Sequence, residues 1–395
     1  MGVHLLALVF FALFTAGLAV PPPSVDYEVI IVGGGPSGLS TLSALGRVRR
    51  TALLYDDGHY RNGPTRHMHD VIGNDGAVPS AFRALARQQI SRYNTTHIKD
   101  VKVTQIAKID TKSGQYPFFT VTGADGSVHT ARKIVLGTGL KDVFPSTPGI
   151  SENFGKGIFW CPWCDGWEHR DQPFGVLGPL GDVMDSVLEM WSLNRDIIAF
   201  VNGTEHDEKE RKRLADKYPR WEEQLKKYNV KLEDRVIQSI VRLRDGSKVG
   251  DKENWKEYDL FRINFTDGKS TERNALITNF PAVQRSDLPD QLGLQRDKAN
   301  QNKIAVNING MRTSVSGVYA VGDANNDGST NVVHAMFSGK RAAVYIHVEI
   351  ERENSLALIQ KREAKFSARK AEKDALRLVG RDLEDVWEKA KAMSK

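Results

Sequence analysis

Cys161 and Cys164 are the only cysteines in this 395-residue chain, and they lie in the run Trp160-Cys-Pro-Trp-Cys-Asp-Gly-Trp. Thiols at this spacing can close a small, reactive disulfide. A helix start or a nearby cation lowers a thiol pKa from ~8.5 toward neutrality and creates the attacking thiolate. A passive structural bridge is the alternative, but a ring this short removes little entropy from the unfolded chain. A thiolate zinc site would need further ligands, and no second cysteine pair exists. No metal is expected.

The other chemistry-bearing pattern is Gly33-x-Gly35-x-x-Gly38, with Pro36 and Ser37 inside it. Alone it is weak. Here it follows the apolar run Val29 to Val32 and opens a helical pattern, the context a dinucleotide site requires. The glycines permit a tight turn and let a pyrophosphate approach the helix N-terminus, where free N–H groups and the helix dipole attract it. Asp56, 23 residues after Gly33, stands where an acid would bond ribose hydroxyls.

These residues need elements to hold them. Asp26 to Asp56 reads as strand, turn, helix, strand, and residues 174–201 repeat the pattern. Two such units predict an α/β fold with two Rossmann-like domains. Residues 205–257 are strongly charged and read as a solvated helical face or insertion. After Glu351 the chain is rich in Ala, Lys, Glu and Arg, with Leu376, Val379, Leu383 and Val386 at helical spacing. One or two amphipathic surface helices are expected there.

Further segments resemble the thioredoxin reductase family of flavoproteins. Residues 309–326, NGMRTSVSGVYAVGDANN, are similar to its C-terminal flavin motif. Gly137-Thr138-Gly139 with Pro145 and Pro148, and the run 61–69 beginning Arg61-Asn62, are similar to its other flavin-contacting segments. The resemblance covers residues 26–349. It implies FAD, with Gly322 and Asp323 at the ribityl chain and Arg61, Asn62, Thr138 and Gly139 nearby. It implies a discontinuous FAD domain (26–152 and 282–350) with a CxxC-bearing NAD(P)-like domain inserted at 153–281, and a homodimer. Cys164 would then exchange electrons with the flavin, Cys161 would meet the substrate, and Asp165 would manage thiol protons. Pro162 and Trp163 replace a smaller pair, which alters the redox poise. His334 is expected either as a second acid/base near Cys161 or as a packed or solvated helical histidine.

NADPH use is in doubt. In VLGPLGDVMDS, Leu180 stands where a second glycine is required and would crowd a pyrophosphate; acids rather than arginines follow the next strand. A subgroup resembling fungal dithiol oxidases runs the other way, from a dithiol through CxxC and FAD to O₂. The expected function is therefore FAD-dependent oxidation of a dithiol. The NADPH-dependent disulfide reductase remains one alternative, and a non-catalytic flavin-binding protein another.

The N-terminus supports a compartment for that chemistry. Leu5 to Leu18 is apolar and is followed by Ala19 and three prolines, Pro21 to Pro23. This reads as a secretory signal peptide over residues 1–19 or, uncleaved, as an anchor; no stable membrane span is expected beyond it. Sequons at Asn94, Asn202 and Asn264 make a secreted glycoprotein the expectation. The net charge is only +6, with no dense basic block, so nucleic acid is not an expected partner. The expected partner is a dithiol or disulfide substrate, either a small molecule or a protein.

Overall fold

The computed structural model describes residues 23–111 and 116–393. The expected leader lies outside them. In chain order the elements used below begin with β1 (Tyr27–Val32), α1 (Pro36–Arg47), β2 (Ala52–Tyr55), α2 (Pro79–Ile90), β3 (Thr96–Lys99), β4 (Val103–Ile109), β5 (Phe118–Gly123), β6 (Val128–Leu136) and β7 (Leu140–Asp142). Then come β8 (Ile158–Phe159), α3 (Pro162–Asp165), β9 (Phe174–Leu177), α4 (Val183–Met190), β10 (Ile197–Phe200), α5 (Glu208–Lys217) and β11 (Lys231–Glu233). The last are β12 (Ala275–Thr278), β13 (Ala282–Gln284), β14 (Val318–Ala320) and α6 (Val332–Met393).

Continuous β-branched and aliphatic runs make strands that are buried on both faces. β1, with Val29, Ile30 and Ile31 wholly buried, is such a strand. It lies parallel between β2 and β6 in a sheet of order β3-β2-β1-β6-β5-β4. The nine-residue β6 pairs with β1 along one edge and serves two partners along the other: its first half pairs with β5 and its last three residues with β14. That pairing carries the 318–323 segment to the C-terminal edge of the sheet, beside the β1 turn. A second parallel sheet, β11-β10-β9-β12-β8, forms around the repeated unit. The antiparallel pair β7–β13 joins the two sheets at the chain crossings.

Two expectations change. The 205–257 region is not simply a solvated face. Leu214 of α5, and Trp221 and Leu225 of the following helix, pack into the second core, and Ile237–Arg244 is a strand whose Ile237 and Ile240 turn inward. The density of charge hid this apolar minority. The tail is also not a separate element. It continues α6, whose first half packs Ala342, Ala343, Ile346 and Ile350 against the α1 layer. With no Pro after residue 289 and no capping break, nothing in the sequence ends the helix.

Candidate active site

The first turn is shaped by backbone. Gly33 has φ +112°, and a Cβ there would lie 2.2 Å from Gly137 O; one on Gly38 would lie 1.9 Å from Gly33 O. Gly35 caps α1 with no side chain, Pro36 occupies the first turn, and the space before Gly35 is open. The free N–H groups of the first turn therefore face a cavity of about 1380 Å³. Tyr55 and Thr138 line it, and their hydroxyls are buried without a protein partner. A nucleotide cofactor supplies both what the helix terminus attracts and what these hydroxyls lack.

The acids and Arg61 form an inner frame. Asp56 ends β2 as expected, but its carboxylate is committed: Tyr60 Oη donates to it at 2.6 Å, Arg87 at 2.6 Å and the Gly58 N–H at 3.0 Å. Burial and that bond push the Tyr60 hydroxyl up to about 12. Asp57, not Asp56, is the acid on the cavity wall there. Arg61 bonds Asp142 through two nitrogens (2.6 and 3.1 Å) and Asp323 at 2.8 Å, and stacks over Trp160. Burial opposes its charge, but these carboxylates hold its pKa above the ordinary value. Asn62, Gly139 and Asp323 line the cavity; Gly322 sits behind, its N–H donating to Ser338 Oγ at 2.8 Å.

The redox pair opens on the same cavity. Cys161 is the N-cap of α3, and Cys161 and Cys164 are joined as a disulfide with Cα atoms 5.2 Å apart. Both line the cavity that holds the Gly33–Gly35 turn. Trp163, between them, is 67% exposed and marks the approach from outside. Asp165 accepts from Thr65 Oγ1 at 3.1 Å. Burial pushes its carboxyl up to about 6, against the pull of His169, Thr65 and His69. An acid poised there can take and return a thiol proton near neutral pH.

The comparisons with known proteins agree with this geometry. Residues 27–185 match the pyridine nucleotide-disulphide oxidoreductase family. A probable thioredoxin reductase of Arthroderma benhamiae is 59% identical over 401 residues, 98% of this chain and 99% of that protein. The chain belongs to the thioredoxin-reductase-like disulfide oxidoreductases. Thioredoxin reductase tcpT of Claviceps purpurea is 33% identical over 79% of this chain and 90% of its own length. The crystal structure of HlmI superposes with a TM-score of 0.72 at 26% identity, covering 86% of this chain and 97% of that one. As a thioredoxin-reductase-like enzyme the chain binds FAD, which when bound supplies a two-electron acceptor for the thiol pair.

Around the pair, this thioredoxin-reductase-like chain carries a charge network that the sequence did not announce. His169 Nδ1 lies 2.9 Å from the Asp165 carbonyl and Nε2 lies 3.2 Å from Asp259 Oδ2. Burial opposes its protonation, but these two acceptors win and raise its pKa. Arg66 binds Asp245, Asp259 and Glu257. His169, Glu257 and Asp259 converge closely enough to hold an ion, but Arg66 already pairs with both carboxylates. The only signals available in the sequence were His169 one helical turn beyond Asp165 and Arg66 inside the flavin-like run.

His334 is not brought to the pair. Its neighbours Val333 and Ala335 line the cavity, whereas its Nε2 lies 2.8 Å from Asp327 Oδ2. The helical phase at the start of α6 sends it to that acid instead.

The second βαβ unit is closed from within. Leu180 does not crowd the turn; it is wholly buried in the core. Its N–H donates to Thr204 Oγ1 at 2.9 Å, and the Gly181 N–H donates to Glu210 Oε2 at 3.2 Å. A Cβ on Gly181 would lie 2.3 Å from Arg213 Nε, which shows how closely α5 lies over the turn. Four of the five basic residues of α5 are also engaged, Arg211 with Glu222, Lys212 with Asp216, Arg213 with Glu210 and Asp182, and Lys217 with Asp185, while Lys209 is exposed.

Proposed function

We propose that this enzyme oxidises a dithiol through the Cys161–Cys164 disulfide and FAD, with O₂ as the final acceptor, and that it does so in the secretory pathway. The observation that carries the reading is the second turn. Its N–H groups, which would hold a pyrophosphate, are bonded to Thr204 and to the carboxylate of Glu210. An anion already sits where NADPH would place its own, and no unpaired arginine cluster follows β10 to meet a 2′-phosphate. Electrons then enter from the thiol side. The apolar leader supports an oxidising compartment, where disulfide formation is favoured.

The step balances. A substrate thiolate bonds to one cysteine sulfur, the S–S bond breaks, and the other cysteine leaves as thiolate. The second substrate thiol then displaces the first cysteine and closes the product disulfide. FAD, held by the Gly33–Gly38 turn with Thr138 and Asp323 on the cavity wall, would accept the electron pair left on the cysteines, and O₂ with two protons would become H₂O₂. Asp165 holds or returns a proton at the cysteine pair, and Thr65 fixes its orientation.

The test is an anaerobic titration of the flavin-loaded protein. Bleaching by a dithiol but not by NADPH, followed by air reoxidation with one H₂O₂ per dithiol, is the expected result. Rapid bleaching by NADPH overturns it.

A further inference from the structure

We propose that His69 and Glu168 form a second proton-transfer group, which carries thiol protons between the disulfide chamber and solvent. The proposal rests on the thiol–disulfide chemistry of the site and not on the choice of electron acceptor. Oxidising a dithiol releases two protons with its two electrons, and only the thiolate attacks a disulfide. Asp165 is one carboxyl, recessed and tethered to Thr65. A second acceptor in exchange with solvent would take the other proton while the thiolate attacks and supply protons again when O₂ is reduced.

His69 meets that requirement by position. It lines the same chamber as Cys161, Cys164 and Asp165. Its Nε2 lies 3.5 Å from Glu168 Oε1, and its Nδ1 lies 3.6 Å from Asp75 Oδ1. The His69 and Glu168 side chains are about nine-tenths buried, whereas Asp75 is mostly exposed. The row thus runs from the chamber wall to water, with gaps that a small motion or one water spans. Glu168 has no other role among the described contacts of its carboxylate. Its Oε2 is buried without a hydrogen-bond partner, and Arg66 of the neighbouring network is taken by Asp245, Glu257 and Asp259. Burial raises the Glu168 pKa and Glu257 adds to this, while His69 and His169 pull the other way. The remaining neighbours of His69 are the rings of His67 and Trp255, the first facing Glu257 at 4.0 Å.

In the step proposed, the substrate S–H proton passes to the His69 imidazole, and Glu168 stabilises the imidazolium. The thiolate bonds to a cysteine sulfur and the Cys161–Cys164 bond breaks. The proton leaves past Asp75, and the second substrate proton goes to Asp165.

The test uses the flavin-loaded protein in anaerobic stopped flow, with dithiothreitol as the probe, across about pH 5 to 8, where a histidine changes charge. His69→Gln should slow flavin bleaching by about 100-fold at neutral pH, within the range for a lost acid/base group. Added imidazole should restore part of that loss. Glu168→Gln removes the charge that favours imidazolium, so the rising limb should move to lower pH. His97→Gln, at the one exposed position of β3, is the control with no expected change. A wild-type rate and profile in His69→Gln overturns the proposal, as does a loss that imidazole leaves untouched. Should His69→Gln lose its flavin, His69→Asn with flavin content measured decides in its place. Dithiol bleaching without air reoxidation would remove the oxidase reading and leave this test standing.

Discussion

Asp165→Asn should inactivate the enzyme and stabilise it. Burial moves the Asp165 carboxyl from an ordinary 3.8 to about 6. A raised acid binds its proton more tightly folded than unfolded. The stability it contributes is present below pH 3.8 and is lost as pH rises through about 6. At pH 8 the wild type carries the full cost of the buried carboxylate. The shift of about two units corresponds to about 3 kcal/mol at 1.36 kcal/mol per unit. That value is a ceiling, because asparagine must also satisfy the Thr65 hydroxyl. The variant should therefore be more stable than wild type at pH 8 by up to about 3 kcal/mol, and close to it at pH 4. Dithiol-driven bleaching should fall by at least about 100-fold. Denaturant unfolding of flavin-loaded protein at both pH values measures the first, and stopped flow measures the second. A variant that is equally or less stable than wild type at pH 8, with no change in the difference between the two pH values, would refute the assignment of Asp165 as a buried, proton-holding acid.

Cys161→Ser and Cys164→Ser should each keep FAD and the fold, since the open dithiol is itself a working state, while abolishing bleaching by dithiols; absorbance and near-UV circular dichroism check both. Arg61→Ala leaves Asp142 and Asp323 facing each other without their cation, so it should cost about 3 kcal/mol and lower the flavin per chain, read from the 450 nm band and the melting curve. Expressed in a secretory host, the protein should carry glycans at Asn94 and Asn202, which are exposed, and not at Asn264, whose side-chain amide donates to Ser239 Oγ at 3.0 Å between strands. Endoglycosidase shifts of the three Asn→Gln variants read this directly, and three occupied sites would contradict it.

What was legible in the sequence was local. Gly33 and Gly38 have to be glycines because backbone meets backbone there, Gly35 leaves the space before α1 open, and the two cysteines carry their chemistry in their spacing. What was not legible depends on pairs far apart in the chain. Thr65 meets Asp165 a hundred residues on, and Arg66 meets Glu257 and Asp259 at almost twice that separation. The second turn shows the limit well. Leu180 was noticed for its bulk, yet it points into the core, and the closure comes from Thr204 and Glu210, which no spacing rule links to that turn. For His334 the sequence left two readings, an acid/base at the cysteines or a packed helical histidine, because the helical phase that turns it to Asp327 is set by packing.

The length of α6 has a consequence for how the molecule travels through a column. At about 1.5 Å per residue its 62 residues make a rod of about 93 Å. The first third and the residues just after it are pinned to the body, by Ile350 below and by the Arg132 and Lys133 pairs to Glu349, Glu353 and Asn354. Beyond them Leu356, Leu358, Ile359 and Phe366 are exposed. A particle with such a mast has a frictional coefficient well above that of a sphere of its mass. It should elute early from gel filtration even as a single chain, so an apparent dimer by elution volume is no measure of subunit number, and light scattering or sedimentation equilibrium is the method that counts chains.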